Sequence, residues 1–340
     1  MLSALNRLSV ERLVKFVEKR IIKKQIASAP FRDDTLEGVR MNRITKDGQS
    51  NPRGKTVRVD KGPGGLPILR ISNEHAESSI FTYGAHIASF KPKGADEMLF
   101  ISPYSKFEEG QPIRGGIPIC FPWFGKHETR EDLQLHGLVR TKIWDVVGTA
   151  TEADGSTTVV LSTHDDEYSR SIWPHRFSIQ LTVFIAKELT MILEVKNIDD
   201  KPFTFGEAFH TYFSVGDLEQ CNIIGLDGLQ AIDRMKSDTV YVQSGDVKVS
   251  GAFTRVYRDA GKHVTLADPV ASRSIRMEQD RLRHVVVWNP GEHAAMNNAE
   301  ILEAYKDFLC VEHANFLDAA IDLNPGETHR CKLVLSVLSD

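Results

Sequence analysis

The chain has 340 residues, of which 41% are hydrophobic and 26% are charged, and its formal net charge is −4. This balance is typical of a globular protein, and without a strongly basic stretch interleaved with aromatic residues it excludes a nucleic-acid-binding domain. No window approaches 18 consecutive apolar residues, which excludes a transmembrane helix. The length fits one large all-β domain with an extension, and we expect a monomer.

The first 30 residues predict a basic amphipathic helix. They carry seven Lys or Arg against two Glu, and apolar residues recur near helical spacing at Val10, Val14, Val17 and Ile21. Such a helix docks on the body of the protein or lies free. An organelle transit peptide is the alternative, which Glu11 and Glu18 disfavour. Residues 31–54 are interpreted as a linker.

Beyond residue 55 the hydrophobic pattern changes to a period of two, which predicts β-strands. The clearest segments are KTVRVD, SSIFTYGAHIASF, TKIWDVVG, STTVVLST, RFSIQLTVFIA, ELTMILEVKN and HRCKLVLSVL. Gly, Pro, Asn and Asp clusters such as KGPGG and LNPGE separate them and indicate turns. We therefore predict a large antiparallel β-sandwich over 55–340, with one further short helix over 294–308.

The four cysteines are scattered through apolar segments without CxxC spacing. This pattern predicts buried thiols in a reducing compartment, and we expect a cytoplasmic protein. The chain contains no GxGxxG sequence, no P-loop and no internal repeat of fixed period. Cofactor chemistry therefore has no support in the sequence.

Four stretches place titratable side chains among hydrophobic residues. They are RGGIPICFPWFG at 114–125, LQLHGLVR at 133–140, FGEAFHTYFSV at 205–215 and FLCVEHAN at 308–315. Taken singly, Arg114, His136, Arg140, His210 and Glu312 each have an ordinary explanation, such as a solvated charge or a satisfied core histidine. Together they favour a functional site, because burial moves carboxylate and imidazole pKa values toward neutrality.

Two other kinds of site are disfavoured. The segment HDDEYSR at 164–170 has the residue types of a metal site, but it lies in a polar turn and is interpreted as a solvated loop. A catalytic nucleophile would need a sharp elbow such as GxSxG, which the chain does not contain. General acid–base chemistry is the hypothesis that remains.

Six motifs in a fixed order carry a resemblance to a known family. They are RGGIPICFPWFG, HGLVR, FHTYF, the GLxGxxxxD pattern at 225–233, VVVWNPG at 285–291 and CVE at 310–312. Over roughly residues 55–338 the chain resembles the glucose-6-phosphate 1-epimerases, the hexose-6-phosphate mutarotase branch of the aldose 1-epimerase family. The resemblance implies a galactose mutarotase-like supersandwich that exchanges the α and β anomers of a hexose 6-phosphate without metal or organic cofactor.

The resemblance also implies catalytic roles. Anomer exchange removes the proton from the C1 hydroxyl, delivers a proton to the ring oxygen, and recloses the ring after rotation about C1–C2. Glu312 matches the family's base, which takes the O1 proton. His210 matches the family's acid, which protonates the ring oxygen.

Substrate recognition is implied in the same way. His136 and Asp233 match positions that bind sugar hydroxyls, with Asp227 as the alternative to Asp233. Arg114 and Arg140 match the two arginines that grip the phosphate, for which a planar guanidinium with paired donors is suited.

The chain departs from many relatives at three positions beside these residues. Ala231 replaces an aromatic residue, Leu135 replaces a glutamine, and His313 follows Glu312 where a small residue or proline is common. We expect His313 to face away from Glu312, because neighbouring side chains of a strand alternate. Two other functions stay open: an aldose 1-epimerase of unphosphorylated sugars, and a carbohydrate-binding sandwich without turnover.

Overall fold

The computed structural model describes residues 56–338, so the predicted N-terminal helix and linker lie outside the described residues. The described part contains two short α-helices, α1 (Glu167–Ile172) and α2 (Gly291–Met296). Its strands are β1 (Val57–Lys61), β2 (Pro67–Ser72), β3 (Ala76–Phe81), β4 (His86–Pro92), β5 (Ile119–Cys120), β6 (Asp145–Thr151), β7 (Thr157–His164), β8 (Phe177–Ile185), β9 (Leu189–Asn197), β10 (Phe203–Phe205), β11 (Glu207–Phe209), β12 (Tyr212–Ser214), β13 (Asn222–Ile224), β14 (Gln230–Asp233), β15 (Thr239–Val242), β16 (Val247–Lys248), β17 (Phe253–Tyr257), β18 (His263–Asp268), β19 (Arg273–Asp280), β20 (His284–Asn289), β21 (Phe308–Asn315), β22 (Ile321–Leu323) and β23 (Thr328–Leu338). Its 3-10 turns are Pro63–Gly65, Val139–Thr141, Leu218–Gln220, Leu302–Asp307 and Leu317–Ala319.

Two large antiparallel sheets build the body of the protein. The nine-stranded sheet has the order β16-β13-β18-β19-β23-β9-β8-β7-β6. The eight-stranded sheet has the order β15-β14-β17-β20-β21-β11-β5, with β12 also paired to β21. Strands β1 to β4 form a four-stranded sheet, and β10 pairs with β22.

The main hydrophobic core lies between the two large sheets. It takes Val287 and Val311 from the eight-stranded sheet and Leu193, Ile275 and Leu333 from the nine-stranded sheet, all of them fully buried. Burying each such side chain contributes about 1.5–3 kcal/mol to folding. The predicted antiparallel sandwich is therefore confirmed.

The helical prediction over 294–308 needs correction. The segment contains only the last three residues of α2 and a separate 3-10 turn over Leu302–Asp307 instead of one helix. Two asparagines interrupt it, since Asn297 donates its side-chain amide to the His293 carbonyl and Asn298 accepts from the Glu300 N–H. Asparagine side chains that bond nearby backbone groups compete with helical hydrogen bonds.

The segment 164–170, interpreted as a solvated loop, instead contains most of helix α1. Asp166 and Ser169 form a capping box, in which each side chain accepts from the other residue's backbone N–H at 2.7 and 2.8 Å. The other Asp166 oxygen pairs with Lys142 at 2.7 Å. The Asp166 carboxylate thus stabilises the start of a helix, and the spacing of Asp166 and Ser169 was the signal for it.

The cysteine prediction is confirmed. Cys120, Cys221, Cys310 and Cys331 are free and buried, and burial raises the pKa of Cys221 to about 12. Among residues 56–338, no helix has the length and apolar character needed to cross a bilayer.

The strand register assigns a face to each candidate residue. Ile232, Val256, Val286 and Glu312 are direct cross-strand partners and therefore share one face of the eight-stranded sheet, which we call the site face. His313 is one residue further along β21 and pairs with Val285 on the opposite, core-facing side. His313 therefore faces away from Glu312, as the alternation of the strand predicts.

Two buried histidines make the stability of the fold pH-dependent. Burial lowers the pKa of His86 and of His313 to about 3, helped at His86 by the charge of Arg140. An unfolded histidine titrates near pH 6.5, so below that pH the unfolded chain binds protons that the folded chain does not. Stability is therefore fully present above about pH 6.5 and declines as the pH falls toward 3.

His313→Leu is expected to weaken this dependence. The substitution removes one titrating group and two ring nitrogens that have no hydrogen-bond partner. Between pH 6 and 4 the slope of the unfolding free energy should decrease by about 1.4 kcal/mol per pH unit. Urea unfolding at pH 7, 6, 5 and 4 measures this slope, and an unchanged slope would show that His313 is not a buried neutral imidazole.

Candidate active site

Glu312 is a buried carboxyl group on the site face. All eight residues of β21 are buried, and Glu312 is only 2% exposed. Its Oε2 atom has no hydrogen-bond partner. Burial alone raises the pKa of Glu312 well above its usual value, because a charged carboxylate is disfavoured in an apolar setting.

His210 lies beside Glu312, just after β11. Its backbone N–H donates to the Pro118 carbonyl, and its Nδ1 atom is 3.5 Å from Glu312 Oε2. The Tyr212 ring stacks on the imidazole with a centroid separation of 4.9 Å and an angle of 8°. Burial lowers the pKa of His210 well below its usual value, with further contributions from the neighbouring His136 and arginine charges.

Burial raises the pKa of Glu312 and lowers that of His210, so the site disfavours the charged form of both groups. The distance of 3.5 Å between His210 Nδ1 and Glu312 Oε2 is long for a hydrogen bond. Catalytic hydrogen bonds are often long without substrate and shorten when it binds. Such a pair can donate a proton to one substrate atom and accept one from another.

His136 is held in a strained turn next to this pair. Its φ is +65°, and the following Gly137, with φ +78°, passes so close to Phe121 that a Cβ would lie 1.9 Å from the Phe121 carbonyl oxygen. The Gly125 N–H donates to His136 Nδ1 at 3.2 Å, which leaves the proton of the neutral ring on Nε2. The ring centroid is 5.0 Å from that of His210. His136 is therefore placed as a hydrogen-bond donor.

The path of the loop that begins at Arg114 requires the two glycines that follow it. Gly115 and Gly116 have positive φ values, and a Cβ on Gly116 would meet the Ile87 carbonyl oxygen at 2.4 Å and His86 Nε2 at 2.5 Å. Only glycine lets the loop approach β4 so closely.

Arg114 is shared between two polar partners. Its Nη2 is 3.2 Å from Glu300 Oε2, and its Nη1 donates to the Tyr212 hydroxyl at 3.4 Å. Because Tyr212 stacks on His210, Arg114 lies one side chain away from the acid–base pair. Glu300 compensates much of the Arg114 charge.

Arg140 is a buried cation without a counterion. It is 8% exposed, it donates to the Leu135 carbonyl at 2.6 Å, and its Nε has no partner. Within residues 56–338, no carboxylate lies at ion-pair distance from its guanidinium. Arg140 lowers the pKa of both His136 and His210, so its charge acts on the site. A buried, uncompensated cation favours an anionic ligand.

Asp233 is not brought together with the other predicted residues. It pairs in register with Arg255, one step beyond the Ile232 row, and therefore belongs to the face opposite Glu312. Its carboxylate lies 3.4 Å from Arg255 Nε and accepts from the Met235 N–H at 3.0 Å. The alternative, Asp227, is exposed and accepts from the Gly245 N–H. The substrate-binding role of Asp233 stays a prediction.

Sequence reasoning missed several residues of this site. Tyr212 could have been found, because it follows His210 at a spacing of two and so shares its face. Trp288, whose ring meets that of His210 edge-on at 6.1 Å, lies within a quoted motif. Glu300 gave no signal, since it lies in a loop interpreted as helix.

A third donor atom lies beside the acid–base pair. Cys310, with His210 and Glu312, presents donor atoms within 4.8 Å of one another. These are zinc-ligand types, but the acid–base chemistry described above uses the His210 and Glu312 atoms themselves.

Comparisons with known proteins show which chains this one is similar to. The sequence model of the family "Aldose 1-epimerase" matches residues 67–336. A protein of Cenchrus ciliaris named "Putative glucose-6-phosphate 1-epimerase" is 32% identical and aligns over 82% of this chain and 87% of its own length. A protein of the same name from Escherichia coli is 30% identical, with 73% and 83% covered. The crystal structure of a "putative mutarotase" from Salmonella typhimurium superposes with a TM-score of 0.79 and 25% identity, covering 90% of this chain and 99% of that one.

Proposed function

Because this chain belongs to the aldose 1-epimerase family, we propose that it exchanges the α and β anomers of a hexose 6-phosphate. The observation that carries this proposal is the Glu312–His210 pair, buried 3.5 Å apart beside the uncompensated Arg140 cation. A proton donor and a proton acceptor suffice for anomer exchange, and a cation without a counterion suits a phosphorylated sugar.

In the proposed mechanism, Glu312 takes the proton of the C1 hydroxyl while His210 gives a proton to the ring oxygen. The C1–O5 bond breaks, C1 becomes an aldehyde, and rotation about C1–C2 presents its other face. The reverse proton transfers then close the ring as the opposite anomer. Each cycle returns both protons, so no external acid, base or redox partner is needed.

Substrate binding prepares His210 for its role as an acid. The acid role needs a protonated imidazole, whereas burial lowers the pKa of His210. The arginine charges help to lower the pKa of His210. A phosphate dianion offsets those charges and therefore favours the imidazolium.

The phosphate is assigned to the two arginines. Arg140 supplies a full charge, whereas Arg114 already shares its charge with Glu300 at 3.2 Å. We therefore assign Arg140 the larger share of phosphate binding, and Arg114 a second contact that reorganises around Glu300. The names of the two curated relatives point to the same substrate class.

Two rival functions make different predictions. An epimerase of free sugars would exchange glucose as fast as glucose 6-phosphate and would be insensitive to Arg114→Ala. A binding protein without turnover has no use for a buried acid–base pair, and its Glu312→Gln variant would match the wild type in both sugar phosphate affinity and background rate.

Polarimetry of freshly dissolved α-glucose 6-phosphate tests the proposal. The optical rotation should reach its equilibrium value faster with catalytic amounts of protein than in buffer alone. Folded protein that leaves the buffer rate unchanged would overturn the proposal.

A further inference from the structure

A second cluster of chemically reactive side chains lies in the interior, on the core-facing side of the eight-stranded sheet. Glu207 pairs in register with Asn315, and both side chains point toward the nine-stranded sheet. His329 and Cys331 reach them from β23 of that sheet, with a spacing of two that puts both on one face. Their exposures are 0% for Glu207, 8% for His329 and 1% for Cys331.

The donor atoms of this cluster already converge. His329 Nε2 is 2.7 Å from Glu207 Oε1, and one ligand atom each from Glu207, His329 and Cys331 lies within 4.8 Å of the others. In a tetrahedral zinc site with bonds of about 2.0–2.3 Å, ligand atoms are about 3.5 Å apart. Small side-chain movements therefore bring the three atoms onto one ion.

One carboxylate oxygen of this cluster lacks a hydrogen-bond partner, although the other, Glu207 Oε1, contacts His329 and Asn315. Glu207 Oε2 is buried and accepts no hydrogen bond of normal geometry, and a buried carboxylate oxygen without a partner is costly. A divalent cation would fill the open position at Glu207 Oε2.

We propose that Glu207, His329 and Cys331 bind one zinc ion between the two sheets. Thiolate, imidazole and carboxylate are zinc ligands, and the two negative charges of Glu207 and Cys331 neutralise a divalent ion in the core. Binding forms Zn–S, Zn–N and Zn–O bonds in place of the His329–Glu207 hydrogen bond. The Cys331 thiol proton is released to solvent, and His329 binds through Nε2 as a neutral ring with its proton on Nδ1. Because the site is closed, the ion enters as the chain folds.

Neighbouring groups hold the cluster in place. Asn315 donates its side-chain amide to Glu207 Oε1 at 2.8 Å and to the Arg281 carbonyl at 2.7 Å, and it accepts from the Arg283 N–H. Such outer contacts orient a metal-binding carboxylate. The zinc site is structural and separate from catalysis, because it lies on the opposite side of the eight-stranded sheet from Glu312. The ion would link the eight-stranded sheet to the nine-stranded sheet.

The metal content of the full-length protein tests this inference. The chain is unfolded, refolded with zinc or cobalt(II), and freed of loose metal by gel filtration. We expect one tightly held ion per chain, a raised melting temperature, and in the cobalt form a thiolate-to-cobalt absorption band. A refolded wild-type protein that retains no metal would overturn the inference.

Matched cysteine variants locate the ion. Cys331→Ala should abolish the cobalt band, whereas Cys310→Ala, which removes the thiol beside the acid–base pair, should retain it. The reverse pattern would place the ion at the catalytic pair and contradict the inference. If Cys331→Ala does not fold, zinc X-ray absorption of the wild type decides: one sulfur near 2.3 Å with nitrogen or oxygen near 2.0 Å supports the site, and a shell without sulfur refutes it.

Discussion

Glu312→Gln is expected to slow anomer exchange of glucose 6-phosphate by about 10²–10⁴-fold, the usual contribution of a positioned general acid or base. Glutamine has the same shape but cannot take the O1 proton. It is also uncharged, so the substitution places no new charge in a setting where burial already disfavours a carboxylate by raising the pKa of Glu312. The fold and the affinity for the sugar phosphate should therefore be retained.

The matched control is Glu188→Gln, because Glu188 is exposed in the turn between β8 and β9. Its exchange rate should equal that of the wild type. The rate is measured by polarimetry, and circular dichroism with an unfolding curve confirms that each variant is folded. A Glu312→Gln protein with wild-type exchange would remove Glu312 from the mechanism.

Arg140→Met is expected to lower kcat/KM for glucose 6-phosphate by about 10²–10³-fold, since a buried charged contact contributes about 2–5 kcal/mol to binding. Methionine keeps the apolar stem and removes the charge. Exchange of free glucose, which has no phosphate, should change by a much smaller factor, because it is affected only through the Arg140 charge near His136 and His210. The ratio of the two kcat/KM values therefore reports the phosphate contact separately from any general damage.

Arg70→Met serves as the control, because Arg70 lies on β2 and pairs with Asp60 at 3.3 Å, outside the site. It should leave both substrates unaffected. If Arg140→Met lowers exchange of glucose and of glucose 6-phosphate equally, Arg140 acts on the sugar ring and the assignment to phosphate is wrong.

The strands were predictable because their signal is local. Alternating side chains over 176–186 and 188–197 correspond to β8 and β9 almost residue for residue. The strand predicted over 141–148 begins only at Asp145, since the 3-10 turn Val139–Thr141 occupies its start. That turn is set by tertiary contacts, such as the Trp144 indole N–H on the Val139 carbonyl, which no local pattern contains.

The candidate site was predictable where an unusual residue type recurs in an apolar setting. Glu312, His210 and His136 stand out in this way, and the structure brings them together. The side-chain direction of Asp233 depends on the pairing of β14 with β17, and the neutralisation of Arg114 depends on a loop nearly 190 residues away. Sequence spacing carries no information on either. The cytoplasmic location and the monomeric state stay predictions.

The interior cluster illustrates a second limit. No sequence motif marks this cluster, because its carboxylate and its other two side chains come from different sheets. Glu207 and His329 are 122 residues apart in the chain. Only the packing of β11 against β23 reveals them.

Saturation transfer between the α and β H1 resonances of glucose 6-phosphate at equilibrium tests the central claim most directly. It observes both anomers of the same substrate without a coupling enzyme. With catalytic amounts of the wild-type protein, saturation of one H1 signal should attenuate the other strongly, and free glucose at the same concentration should show a much weaker effect. Absence of transfer beyond that in buffer, with folded protein, would contradict the proposed function, and equal transfer for glucose would contradict its phosphate specificity.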